Sequence, residues 1–234
     1  MRRVLAVPVL AAASALVLSG CMPIVATGPL VSDERDIDAA TTVVLQTSGD
    51  LTIAQGESAL VIHASAAALE RLTSDVSGDT LTLGTTPGLS IVLGEVSYEL
   101  TLPDLDTIEL DGSGDVTAAV SAPGALRLSI DGSGDVVWTG LDSERVEIGV
   151  SGSGDVEVSG KTGALAIELN GSGNVDAGDL DAREATVAIA GSGDVDVSVS
   201  DTLAAEISGS GQVTYSGDPS VEADITGSGE VVPR

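Results

Sequence analysis

Along most of the chain, apolar and polar residues alternate with a period of two, the pattern of β-strands that bury one face and expose the other. From residue 105 onward, the motif Gly-Ser-Gly interrupts this alternation at regular intervals, followed by an acidic or amide residue and then valine. Apolar residues stand two and four positions before each motif. The first glycines are Gly112, Gly132, Gly152, Gly171, Gly191, Gly209 and Gly227, and the second are Gly114, Gly134, Gly154, Gly173, Gly193, Gly211 and Gly229.

The motif returns every 18 to 20 residues, a fixed period that is typical of solenoids, in which each repeat stacks on the previous one. Each repeat predicts one strand that ends at Gly-Ser-Gly and another that begins just after it. Glycine is expected at the corner between them, because the backbone there takes positive φ or adjacent coils come close together. We therefore predict an all-β protein, a single-stranded β-helix (β-solenoid) whose seven motifs span about 29 Å at the usual strand spacing.

The segment 42–105 is less regular. Short runs rich in β-branched residues predict strands, and Leu69 and Leu72 predict one helical turn within 66–72. We interpret 42–105 as an irregular N-terminal cap and 106–231 as regular coils, within one β-helix domain of residues 42–234. Residues 231–234 are the expected cap at the other end, and an open end would allow self-association by strand addition. The predicted strands are 42–46, 50–53, 59–63, 80–83 and 96–101.

The N-terminus has the features of an export signal. Arg2 and Arg3 precede an apolar stretch over 4–17, which predicts a signal peptide of residues 1–20. The following Leu18-Ser19-Gly20-Cys21 resembles the lipobox of bacterial lipoproteins, in which the cysteine is lipidated. This predicts an exported protein of the cell envelope, held on the outer side of a bacterial membrane by lipid on Cys21, with 21–41 as a tether. The alternative is a plain signal peptide; Cys21 is the only cysteine, so an intramolecular disulfide is excluded.

The charge of the chain limits its partners. Asp and Glu number 36 against 9 Lys and Arg, giving a net charge of −27, which becomes −29 when residues 1–20 are removed. Nucleic acid and anionic lipid headgroups would repel such a chain, so we exclude nucleic-acid binding. The same acidity makes divalent cations candidate ligands, although it is more often a property of a solvated surface.

The acidic residues around the corners are the candidate site. Oxygen ligands suit Ca²⁺, and stacked coils would align these carboxylates in rows, so a calcium site is one hypothesis. The alternative is structural, because Asp and Asn beside a glycine turn accept hydrogen bonds from turn amides. Asn174 and Gln212 interrupt the row after the second glycine. The candidate metal ligands are Asp111 and Asp131 before the motif, and Asp115, Asp135, Asp155 and Asp194 after it.

Catalysis finds little support in the sequence. Carboxylates on a β-helix can cleave polysaccharides, but sugar sites usually contain aromatic platforms, and only Trp138, Tyr98 and Tyr215 are available. Trp138 and Tyr215 occupy a repeat position predicted to face inward. The single histidine, His63, is interpreted as structural or exposed rather than as a metal ligand. We therefore predict no catalytic residue and no enzyme activity.

Four further stretches point to a known family. They are Gly49–Gly56, the run Ala-Leu-Val-Ile-His-Ala at 59–64, Gly78–Leu83, and Tyr98–Leu105 with the first motif behind it. Together with the repeats, they resemble the bacterial "putative auto-transporter adhesin, head GIN domain" family over about residues 42–231. The resemblance implies a right-handed β-helix on an exported, often lipid-anchored protein, without known catalytic residues. We predict a non-catalytic structural or adhesion module with an unknown envelope partner, or alternatively a Ca²⁺-dependent binding protein.

Overall fold

The computed structural model describes residues 24–25, 28–87 and 91–234. It is an all-β protein, a solenoid of about six turns with coils of about 20 residues and a curled mixed sheet at the N-terminal end, as predicted. The predicted signal peptide and Cys21 lie outside the described residues. No helix in the described part is long and apolar enough to cross a membrane.

The elements follow one another closely along the chain. In order, they are β1 (Ile24–Val25), β2 (Leu30–Arg35), β3 (Thr42–Leu45), β4 (Asp50–Gln55), β5 (Ala59–Ser65), α1 (Ala66–Leu69), β6 (Leu72–Ser77), β7 (Thr80–Thr85), β8 (Ile91–Val92), β9 (Val96–Leu102), β10 (Thr107–Leu110), β11 (Val116–Ala119), β12 (Ala125–Gly132), β13 (Val136–Gly152), β14 (Val156–Gly171), β15 (Val175–Gly191), β16 (Asp194–Gly209), β17 (Gln212–Ser216), β18 (Ser220–Gly227) and β19 (Glu230–Pro233).

The coils stack in parallel from β10 to β19 and are in register on either side of each motif, whereas β13 to β16 show register shifts farther from the motif. The valine after each motif pairs with the valine of the next coil, as in Val136, Val156 and Val175. The columns before the motif pair in the same way, and these inward side chains form one continuous core. Stacking therefore buries the apolar half of each alternating strand, and this confirms the predicted columns.

The coils formed by β13 to β16 also have a short third side that the repeat pattern did not predict. After the strand that follows the motif, Leu141, Asp142 and Ser143 pair in parallel with Gly160, Lys161 and Thr162. The buried hydroxyl of Ser143 donates to the carbonyl of Ala122, and that of Thr162 donates to Ala164. These bonds satisfy polar groups that would otherwise be costly to bury.

The corner glycines are required because adjacent coils come into close contact. Gly152 has φ of +138°, and a Cβ there would lie closer than 3.0 Å to the carbonyl oxygen of Gly132, a separation that Cβ atoms essentially never show. The second glycine, Gly154, is buried, and a Cβ on it would meet the carbonyl oxygen of Gly134 in the same way. Positive φ and close contact between coils therefore both require glycine at this corner, as predicted.

The prediction that all of 42–105 is irregular was wrong for residues 42–55. β3 pairs in parallel with β10, and β4 with β11, so these strands form a regular coil below the first motif. Its corner is Thr47-Ser48-Gly49-Asp50-Leu51, in register with Gly112 to Val116. Threonine replaces the first glycine, and its hydroxyl accepts from the amide of Gly49.

Antiparallel strands close the N-terminal end. β5 pairs with β2 and β9, β6 pairs with β7, and α1 turns the chain after Ser65, whose hydroxyl accepts from the amide of Ala68. Part of the predicted tether is therefore folded, because Leu30–Arg35 is strand β2. Arg35 fixes it by donating to the carbonyl of Leu72 and the hydroxyl of Ser74.

The C-terminal residues do not form the predicted cap. Val231, Val232 and Pro233 belong to β19, which pairs in parallel with β17 and completes one more coil. The Arg234 side chain donates to Asp196, two coils below, and forms an ion pair with it. Arg234 therefore fixes the last coil to those beneath it but does not cover the core.

We predict that Gly152→Ala destabilises the protein by about 3 kcal/mol, because a methyl group there must displace backbone and take an unfavourable φ. Gly124→Ala is the matched control, since a Cβ at Gly124 meets nothing within 4 Å, and it should change stability by less than about 1 kcal/mol. Urea unfolding measures both. Equal stabilities for the two variants would contradict close coil contact at the corner.

Candidate functional site

The residues after the second glycine form a hydrogen-bonded ladder along one edge of the solenoid. The Asp and Asn side chains accept, through Oδ1, a hydrogen bond from the backbone N–H of the equivalent residue in the next coil, and the last residue, Gln212, only donates. Asp115 N donates to Asp50 (3.2 Å), Asp135 N to Asp115 (3.0 Å), Asp155 N to Asp135 (2.8 Å), Asn174 N to Asp155 (2.8 Å), Asp194 N to Asn174 (3.2 Å) and Gln212 N to Asp194 (3.1 Å). We call this set the corner ladder.

The corner ladder explains why an amide can replace a carboxylate at this position. Asn174 supplies the same Oδ1 acceptor to the amide of Asp194, and its own Nδ2 donates to Asp155 at 3.0 Å. What the position requires is a short side chain with an oxygen acceptor, which Asp and Asn share. Asp50, the first residue of the ladder, was missed because its motif begins with Thr47 in place of glycine.

The backbone reinforces the corner ladder from the opposite direction. The amide of Leu51 donates to the carbonyl of Asp115, and that of Val116 donates to the carbonyl of Asp135, each at 2.8 Å. Successive corners are thus joined by a bond to a side chain and by bonds to backbone carbonyls, which include the bond from the amide of Ser133 to the carbonyl of Gly112. The acidic residue therefore forms part of the coil-to-coil ladder, and its exposed second oxygen remains available to solvent.

The structure places the six candidate metal ligands in two exposed columns. Asp115, Asp135, Asp155 and Asp194 belong to the corner ladder, whereas Asp111 and Asp131 precede the first glycine. Asp111 accepts from Nε2 of Gln46 at 3.4 Å. Within the described ranges, no group of three or more His, Cys, Asp or Glu side chains is arranged to hold a metal ion. The hydrogen bonds favour the structural interpretation, and the calcium site stays a prediction.

An open hollow of about 580 Å³ lies on the outward sheet face before the corners. Ser129, Gly149 and Ala166 are among its lining residues. The depression in the sheet is explained by the small side chains of Ser129 and Ala166 and by the lack of a side chain at Gly149. Nη2 of Arg127 lies 2.6 Å from Oε2 of Glu147 within this lining. The hollow can accommodate an extended ligand along several coils, with polar groups on its surface.

The aromatic residues contribute to folding. Trp138 is fully buried and its Nε1 donates to the carbonyl of Val120 at 3.0 Å, and Tyr215 packs against the core while partly buried. These positions confirm the prediction that both face inward. Tyr98 is also buried; the hydroxyl of Thr47 donates to its oxygen at 3.3 Å. Burial raises the pKa of Tyr98, and the Thr47 bond and the charge of Arg35 oppose this effect.

Three strands of the cap bring Ser32, His63 and Glu99 together. These residues are far apart in the chain, and no motif in the sequence connects them. Ser32 Oγ lies 2.9 Å from Nδ1 of His63, and Glu99 Oε1 lies 3.3 Å from Nε2. Nucleophilic hydrolases use a similar set, but there the serine faces Nε2 of a histidine in a sheltered site. Ser32 and Glu99 are exposed, so we interpret the cluster as cross-strand pairing that holds β2 on the cap.

One known protein family matches most of the chain. A family model described as "putative auto-transporter adhesin, head GIN domain" matches residues 40–219. The chain belongs to this family. The match includes the first coil, the cap except for β2, and the whole corner ladder, and it confirms the resemblance found in the sequence. No curated protein matches the chain.

Solved structures with the same fold come from species of Bacteroides and Parabacteroides. A putative adhesin from Bacteroides fragilis has a TM-score of 0.83 and 21% identity, covering 90% of this chain and 100% of that one. A putative lipid binding protein from Parabacteroides distasonis has a TM-score of 0.75 and 22% identity, covering 91% and 100%. A putative adhesin from Parabacteroides merdae has a TM-score of 0.72 and 19% identity, covering 90% and 98%. At these identities, the similarity shows the fold alone.

We predict that Asp155→Ala destabilises the protein by about 1–2 kcal/mol, because it leaves the amide of Asn174 without its acceptor. Asp155→Asn should be neutral or slightly stabilising, since Oδ1 is kept and repulsion along the column falls. Denaturant unfolding of both variants provides the measurement.

Asp142→Ala serves as the control, because Asp142 is exposed in the same solenoid and lies outside the corner ladder. It should change stability by less than about 0.5 kcal/mol. If Asp155→Asn were as destabilising as Asp155→Ala, the charge would matter rather than the acceptor, and the structural interpretation would be wrong.

Proposed function

We propose that this protein is a non-catalytic interaction module of the bacterial cell envelope, exported as a lipoprotein and anchored through Cys21. The main support for the proposal is that the residues most capable of catalysis or ligand binding already make hydrogen bonds or core contacts within the fold. The corner acids accept amide hydrogen bonds, and Trp138 is buried in the core with its N–H paired. What the solenoid offers to a partner is therefore an extended, rigid surface.

The outward hollow is the best candidate for the contact surface. It extends across neighbouring coils and exposes small residues beside the Arg127–Glu147 ion pair, so a partner could contact sheet backbone and polar side chains together. The walls also include Asp131 and Glu168. An envelope partner with extended shape and hydrogen-bonding groups fits this surface, and a strongly anionic partner does not.

The family supports an adhesion or interaction role through its name alone. Adhesin is the word that the family description uses, with the qualification "putative". An enzyme is disfavoured because the exposed Ser32–His63–Glu99 cluster has the wrong histidine nitrogen towards serine and lacks shelter from water. Assays on neutral and acidic polysaccharides test the enzyme alternative. Turnover that is abolished by Ser32→Ala would overturn the proposal of a non-catalytic module.

We predict that the full chain partitions with the detergent phase after expression in bacteria, because lipid on Cys21 adds a large apolar group. Cys21→Ser should move the protein to the aqueous phase, since no other cysteine can accept the lipid. Labelled fatty acid incorporation gives an independent reading. Detergent partitioning that is unchanged in Cys21→Ser would contradict the anchor.

We predict that the soluble form captures an envelope component through the hollow. This soluble form is the chain from residue 22 onward, without Cys21, and it keeps Leu30–Arg35 because this strand is part of the folded cap. Ala166→Arg places a long side chain in the hollow and should reduce capture about tenfold or more. Ala119→Arg, at an exposed alanine of β11, is the control and should leave capture unchanged. If both variants lost capture equally, or if neither lost it, the hollow would be excluded as the contact surface.

A further inference from the structure

Strand β18 has an open edge in the described structure. It pairs in parallel with β16, and its inward positions continue the columns of Leu203 and Ile207, which are 1% exposed. Val221 and Ile225 in the same columns are 39% and 40% exposed. A strand edge with exposed apolar side chains and unpaired backbone groups is a template for pairing with another chain.

The outward side of this edge is acidic. Glu222 and Asp224 alternate with the apolar residues of β18, and Asp224 pairs in register with Glu206 of β16. Like charges directly opposite each other on neighbouring strands are destabilising. A basic residue on an added strand would lie beside Asp224 and relieve this repulsion.

The solenoid already contains an example of such a pair. The cross-strand register continues from Glu147 through Ala166, Thr186 and Ala204 to Glu222, so all of them occupy one column. In that column, Arg127 of β12 lies beside Glu147 of β13, with Nη2 and Oε2 2.6 Å apart. An arginine on the strand next to Glu222 would have the same geometry.

We propose that the open edge of β18 binds an extended segment of another protein as an added β-strand. The segment has apolar residues opposite Val221, Ala223 and Ile225, and Lys or Arg opposite Glu222 and Asp224. The proposal rests on the interaction role given above and adds the chemical class of the partner. Backbone bonds supply the binding energy, and the alternating apolar and basic side chains supply the specificity.

A second copy of this chain fits the same edge poorly. Two β18 strands related by a twofold axis through Ala223 would place Glu222 opposite Asp224, with like charges facing each other. The exposed edge strand β2 carries Asp33 and Glu34 and would add further negative charge. The self-association predicted from open solenoid ends is therefore disfavoured relative to a basic partner strand.

Two labelled peptides test the proposal by fluorescence anisotropy with the soluble form. Both carry the sequence of residues 122–134, which includes β12; the basic probe contains Ser129→Arg, and the acidic probe contains Arg127→Glu and Ser129→Glu. The basic probe should bind at least about tenfold more tightly, from two favourable cross-strand pairs. Added salt should reduce this difference.

A charge-exchange variant identifies the edge. Glu222→Lys with Asp224→Lys should reverse the preference, whereas Glu144→Lys with Glu157→Lys, at exposed positions elsewhere, makes the same change in net charge and should keep it. Hydrogen exchange should show new protection of β18 amides when the basic probe binds.

Equal affinity for both probes, an unreversed preference, or protection away from β18 would overturn the proposal. Sedimentation that shows a dimer, which the basic probe dissociates, would also overturn the proposal, because a second copy of the chain would then bind the edge of β18. These failures would leave membrane partitioning and capture at the hollow unaffected, so they are distinguishable from failure of the proposed function.

Discussion

Close approach of backbone at the corners is the constraint on which the rest of the structure depends. At Gly152 and Gly154, any side chain would collide with the carbonyl of the coil beneath, so two glycine columns extend along the solenoid. This contact sets the register of all strands that leave the corner. The inward columns of valine, leucine and isoleucine align because the corners align, and a shift of one residue would expose them.

The close approach of the coils also explains the acidic residues of the corner ladder. Coils that approach closely leave an amide at each corner in need of an acceptor, and the Oδ1 of the residue below supplies one. A short oxygen-bearing side chain is thus required by the fold before any ligand is considered. The carboxylates of the corner ladder also give this edge of the solenoid a negative surface.

Much of the solenoid could be predicted from the sequence because its repeats are local and periodic. The inward place of Trp138 followed from its column, and the glycines followed from the corners. The coil at 42–55 could not be identified in this way, because Thr47 breaks the motif and the pairing with β10 joins residues that are 65 apart in the chain, such as Thr42 and Thr107. Strand β2 and the Ser32–His63–Glu99 cluster depend on antiparallel pairing across the cap, which leaves no periodic trace.

The two hypotheses for the corner acids make opposite demands on calcium. A hydrogen-bonded ladder is complete without a cation, whereas a metal row would be stabilised by one through mass action. Thermal melting of the soluble form in millimolar Ca²⁺ and in chelator is therefore the most direct measurement. Our account predicts the same melting temperature in both conditions. A higher melting temperature in Ca²⁺ that disappears in Asp155→Asn would contradict it.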